Sequence, residues 1–327
     1  MRKSFFLSIL AVGALVAGCA KSEVVDTKFN EEIGFETYLG RDAQTRAAVA
    51  TSFETAGMYG FYTAAEEWDD ETKANLWNND PLTFAGEVTP VKYWTNDDDL
   101  YTFLAYAPKD HSTITAPAAE ENVGVANPTI TYKVPAALAD QIDVLYAAAL
   151  NQKKQTQVPF AFHHALARLT VKASAAAEQA FEFRVKSISI TGGFITEDNL
   201  ALATGEWTKD GAPETTETTY TFYSESTNAV ALTTTATDYA GDNNYLMMIP
   251  VDFTSSKATL KVEYTTFYQG TESTTNEAEF DVTTNFEQGK AYAINLEFSK
   301  DVEPIKFDVS VDTWVPADEE QDEEVEA

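Results

Sequence analysis

Hydrophobic positions along this chain recur mainly at every second residue, in short runs separated by proline and polar clusters, and long helical periods are scarce. "YAINLEF" sets Tyr292, Ile294, Leu296 and Phe298 on one face against Ala293, Asn295 and Glu297. "TLKVEYT" repeats the pattern with Leu260, Val262 and Tyr264. In "FEFRVKSISI", Phe181, Phe183 and Val185 are in phase, and then the apolar set shifts to Ile188 and Ile190. A phase flip inside one strand predicts a β-bulge. "DLYTFLAYAP" is almost wholly apolar and predicts a strand buried on both faces, whereas "ADQIDVLYAAAL" fits either a helix or a strand. Punctuation at these intervals predicts an all-β chain of sandwich type. "ASAAAEQA" separates two strand-like runs and places a domain boundary near Lys172–Ala177.

The N-terminus is of a different kind. Arg2 and Lys3 precede the apolar run Phe5–Val16 and then "AGCAKS", the layout of an export signal too short to span a bilayer as a mature helix. Val16-Ala17-Gly18 before Cys19 resembles a bacterial lipobox, in which small residues admit the backbone to the peptidase and the thiol carries the lipid. Cys19 is the single cysteine, so no intrachain disulfide is available and the core must hold the fold. The expected mature chain is exported and held on a membrane surface by its acyl chains.

Net charge is −30, and removing the leader takes away two more positive residues. Such a surface repels nucleic acid and anionic lipid. Hydrophobic residues make up 44%, enough for an ordinary core and too many for a disordered chain. The acidic end, "DEEQDEEVEA", is a solvated tail without the spaced ligands and glycine turn of a calcium loop.

Little in the sequence suggests catalysis. His163 and His164 are adjacent, so on a strand they point to opposite faces and do not share a metal; one is expected at the core edge and one outward. No nucleophile elbow, phosphate loop or zinc-protease motif is present. Asp97–Asp99 could suggest paired-carboxylate chemistry, but among 52 acidic residues a solvated loop explains them better. The expectation is no enzyme activity, no catalytic residues, no metal and no cofactor.

Five runs, "VKYWTNDDDLYTFLAYAP", "DVLYA", "FAFHHALARLTV", "NYLMMIPVDFTSSKATLKVEYT" and "FEQGKAYAINLEF", resemble in order the strand signatures of the fimbrillin family, the pilus subunits of Bacteroidota. The resemblance implies two transthyretin-like β-sandwich domains in tandem, export as an outer-membrane lipoprotein, and assembly into a cell-surface fimbrium. "AQTRAAVAT" falls where family precursors are cut by an arginine-specific protease, which makes Arg46 and Ala47 the processing site. The implied layout is a signal peptide at 1–18, a propeptide with a strand-like segment at 19–46, sandwich domains at 47–172 and 173–317, and the acidic tail at 318–327.

The residues also supply strands for polymerisation. "IKFDVSV" faces Ile305, Phe307, Val309 and Val311 one way and Lys306, Asp308 and Ser310 the other. Upstream of Arg46, Ile33, Phe35 and Leu39 share a face, with Thr37 as its weak position. A removable N-terminal strand and a C-terminal donor of similar spacing suit strand addition into an open groove. The same alternation equally suits a last strand of its own domain, and Trp314 could lock either arrangement. The expected partners are further copies of the chain, other pilus subunits and the maturation protease, with a host receptor or glycan also open. The alternatives are a monomeric surface lipoprotein binding a host or dietary ligand, and the basal anchor of the same pilus.

Overall fold

A computed structural model describes residues 31–39, 52–117, 124–177, 180–208, 215–225, 229–239, 245–300, 305–312 and 314. The first half forms β1 (Phe35–Leu39), β2 (Thr55–Ala64), β3 (Trp77–Thr83), β4 (Leu100–Ala107), β5 (Ile114–Thr115), β6 (Thr129–Lys133), β7 (Leu145–Gln152) and β8 (Val158–His164). The second half adds β9 (Ala167–Ala175), β10 (Phe181–Ile195), β11 (Glu197–Ala201), β12 (Trp207–Thr208), β13 (Thr215–Ser224), β14 (Thr237–Asp238), β15 (Leu246–Met248), β16 (Val251–Asp252), β17 (Ala258–Tyr268), β18 (Thr271–Val282), β19 (Asn285–Phe286), β20 (Ala291–Phe298) and β21 (Ile305–Asp312). The fold is all-β, with two sandwich domains in tandem.

Six strands, in the order β1-β8-β7-β4-β2-β3, make the main N-terminal sheet. Side chains alternate along a strand, so each central strand feeds two cores. Met58, Phe103 and Phe160 enter one core, while Tyr59, Phe61, Leu104 and Tyr106 enter another that continues into the second domain. β4 is accordingly buried along nearly its whole length, as its almost wholly apolar run predicts.

In the C-terminal domain, sheet β13-β10-β17-β18 packs on sheet β14-β9-β20-β21. Phe183 and Tyr264 both meet Phe298 across the layers, and Phe280 stacks on Phe307 at 5.1 Å. The predicted bulge is present: between Val185 and Ser187 the β10–β17 register slips, leaving Lys186 as the extra residue. In the ambiguous 139–150 segment, a short 3-10 turn at Leu138–Asp140 gives way to strand β7.

A further four-stranded sheet, β12-β11-β6-β5, joins the two halves by pairing β11 with β6. The main sheets part between His164 and Ala167. Lys172 to Ala175 therefore lie within β9, and β10 begins at Phe181.

Candidate polymerisation groove and terminal strand

β1 lies parallel to β8, with Phe35 opposite Val158 and Leu39 opposite Phe162. Parallel neighbours cannot be joined by a tight turn, so this strand reaches its place from elsewhere in the chain. Ile33 and Phe35 are buried, Thr37 and Leu39 half-buried, and Glu36 and Tyr38 exposed, as the alternation predicts. Phe35 meets Phe103 edge-on at 5.0 Å, Phe160 at 5.5 Å and Trp77 at 5.9 Å. Trp77 belongs to β3, at the opposite end of the strand order, so the sheet curls on itself and β1 closes the gap.

The far side of β1 is held by the chain between β3 and β4. Ile33 N–H donates to the Lys92 carbonyl and Trp94 N–H to the Glu31 carbonyl, both at 3.0 Å. Thr37 Oγ1 donates to the Phe84 carbonyl at the tip of a hairpin whose turn runs through Gly86. Gly86 has φ +86° and packs directly against the Phe35 backbone. An Ala-Gly turn between two apolar runs is a legible hairpin signal; its position over β1 is not, because the two segments are far apart in sequence.

An ionic clamp completes the seat. Lys154 Nζ lies 3.2 Å from both Glu31 and Asp97, and these carboxylates raise its pKa, the hydrogen bond to Glu31 first. Asp99 is buried, accepting hydrogen bonds from Tyr62 at 2.9 Å and from Thr95. The Thr95 bond chiefly holds the Asp99 carboxyl below the usual range. The "NDDDL" acids therefore form an ordered loop beside β1, with Asn96 accepting the backbone N–H groups of Asp98 and Asp99. Nothing in the local sequence marks Lys154 as a member of this cluster.

The terminal strand β21 pairs antiparallel with β20, from Ile305 opposite Phe298 to Val311 opposite Tyr292. Its inward face thins along the strand: Ile305 is buried, Phe307 and Val309 are half-buried, and Val311 is 67% exposed. Ile33-x-Phe35-x-Thr37-x-Leu39 and Ile305-x-Phe307-x-Val309-x-Val311 share spacing, chain direction and their first two residue types. His164 is buried and His163 half-buried, the opposed placement expected for adjacent strand residues. Cys19, Arg46 and Ala47 lie outside the described residues.

The fimbrillin-like family model matches residues 45–314. The chain belongs to the fimbrillin-like family. It is 26% identical to the fimbrium subunit Fim1C of Phocaeicola vulgatus over 47% of each chain, so the match spans about half the length of that relative. The crystal structure of a fimbrial protein from Bacteroides vulgatus ATCC 8482 has the same fold, at a TM-score of 0.71 and 18% identity, over 88% of this chain and all of that one.

Proposed function

We propose that this chain is a structural subunit of a cell-surface fimbrium, contributing to adhesion by assembly and without catalysis. In this reading it is exported as an outer-membrane lipoprotein with its lipid on Cys19. Cleavage between Arg46 and Ala47 by an arginine-specific protease frees the chain from that lipid. The same cut detaches β1 from the mature chain, and the strand of a neighbour takes its place.

One observation carries the proposal. β1 lies upstream of Arg46 and of the family match that begins at residue 45, yet it places Phe35 at the centre of an aromatic core. A propeptide serving only as a tether has no need to complete the core. Ile33 and Phe35 together account for about 3–6 kcal/mol of burial at about 1.5–3 kcal/mol each, so an empty groove favours refilling.

β21 is the donor in this reading. Entering with the polarity of β1, it puts Ile305 in the Ile33 site and Phe307 in the Phe35 site, and Val309 fills the position that Thr37 fills poorly. Substituting Phe307→Asp together with Val309→Asp tests the assignment. Cleaved chains of the variant are expected to stay monomeric; filaments at unchanged yield would remove β21 from the mechanism.

A further inference from the structure

The C-terminal segment makes a further contact, beyond strand pairing and the Phe307–Phe280 stack. Just past β21, Trp314 lies flat on His164, with ring centroids 4.0 Å apart and planes within 8°. His164 ends β8, and its Nδ1 lies 2.7 Å from Oδ2 of Asp143, with both side chains sealed from solvent. The Arg168 guanidinium sits 5.3 Å from the Trp314 ring and 4.7 Å from that of Tyr245. Trp314, only 4% exposed, thus caps a buried imidazole–carboxylate pair.

β8 therefore contacts both terminal segments. Its residues Val158–Phe162 pair with β1, while its ladder with β7 is confined to Leu145–His164 and Tyr146–His163. When β1 departs, Val158–Phe162 lose that ladder. What then holds β8 in register is the short pairing at the His164 end, directly under Trp314. Hydration of the His164–Asp143 pair becomes favourable once its surroundings loosen, because polar side chains held away from water are costly to bury.

We propose that Trp314 stacked on His164 is a latch that keeps β21 in its own sheet while β1 is seated, and that departure of β1 releases it through β8. The inference rests on the strand-exchange reading and adds an order of events: a subunit offers its donor strand only after losing its own propeptide. Precursors still on the membrane would then not polymerise prematurely.

Amide exchange across residues 305–314, followed by mass spectrometry, tests this on the full precursor and on the Arg46-cleaved chain. Loss of the 31–46 peptide is checked in the same sample. Wild-type β21 is expected to exchange about tenfold faster after β1 leaves. In Trp314→Ala, exchange is already fast before cleavage; in Trp314→Phe, which keeps a ring on His164, it stays slow. Unchanged exchange after β1 has left, or a Trp314→Ala precursor as protected as wild type, overturns the latch. Filament formation is scored separately by light scattering. Wild-type filaments with unchanged β21 exchange would sink the latch and leave strand exchange standing, and an opened β21 without filaments would do the reverse.

Discussion

A Cβ placed on Gly86 would lie 2.0 Å from the carbonyl oxygen of Phe35, so the hairpin over the groove and the strand inside it touch backbone to backbone. No other residue type fits that approach, and the φ of +86° independently favours glycine. Gly86→Ala is expected to destabilise the precursor by about 1–3 kcal/mol and to speed the loss of residues 31–46 after cleavage. Mass spectrometry of the cleaved chain over time measures it; retention equal to wild type would show that the hairpin yields freely.

Phe35→Ala leaves a cavity among Trp77, Phe103 and Phe160. The precursor is expected to lose about 3–5 kcal/mol in urea unfolding, whereas a chain cut after Arg46 and freed of residues 31–46 is unaffected. An equal midpoint for wild-type and variant precursors would mean that β1 adds no stability.

Lys154→Ala removes the clamp joining Glu31 to Asp97. Release of residues 31–46 after cleavage is expected to quicken a few-fold, as suits an ion pair near the surface. Salt at about 1 M should close most of the gap to wild type by screening the same charges. A gap that persists in salt would point to the packing of the lysine stem instead.

Buried tyrosines make the fold sensitive to alkali. Burial pushes the Tyr220 hydroxyl up to about 12 and also raises those of Tyr59, Tyr132 and Tyr239. Each group keeps its proton more tightly when folded, so its contribution is complete below the unfolded value near 10 and is lost as pH rises towards 12. The melting temperature should hold steady to about pH 9.5 and fall between about pH 10 and 12. Tyrosine absorbance should titrate in two steps, the second coinciding with unfolding; one midpoint near 10 in the folded chain would contradict the burial.

Local periodicity carried much of this architecture. The β10 bulge was legible because Val185 and Ile188 are out of phase, and the double-faced burial of β4 because its run has no polar face. Alternation also identified Ile33 and Phe35 as inward at β1 and Ile305, Phe307 and Val309 as inward on β21, but not the exposure of Val311 at its end. It could not show that β1 lies parallel to β8, that the Gly86 hairpin covers it, or that Asp143 meets His164, since these contacts join segments distant in sequence. The short run Ile305–Val311 is compatible with its own sheet and with a neighbour's groove, because both present the same pleated, half-buried surface.

In the proposed mechanism, cutting at Arg46 empties a groove that another subunit fills. Treating purified precursor with an arginine-specific protease, then recording the new N-terminus and the particle size together, addresses it most directly. The expected result is a chain beginning at Ala47, loss of residues 31–46, and growth into filaments. A chain that begins at Ala47, has lost β1 and still remains monomeric would contradict it.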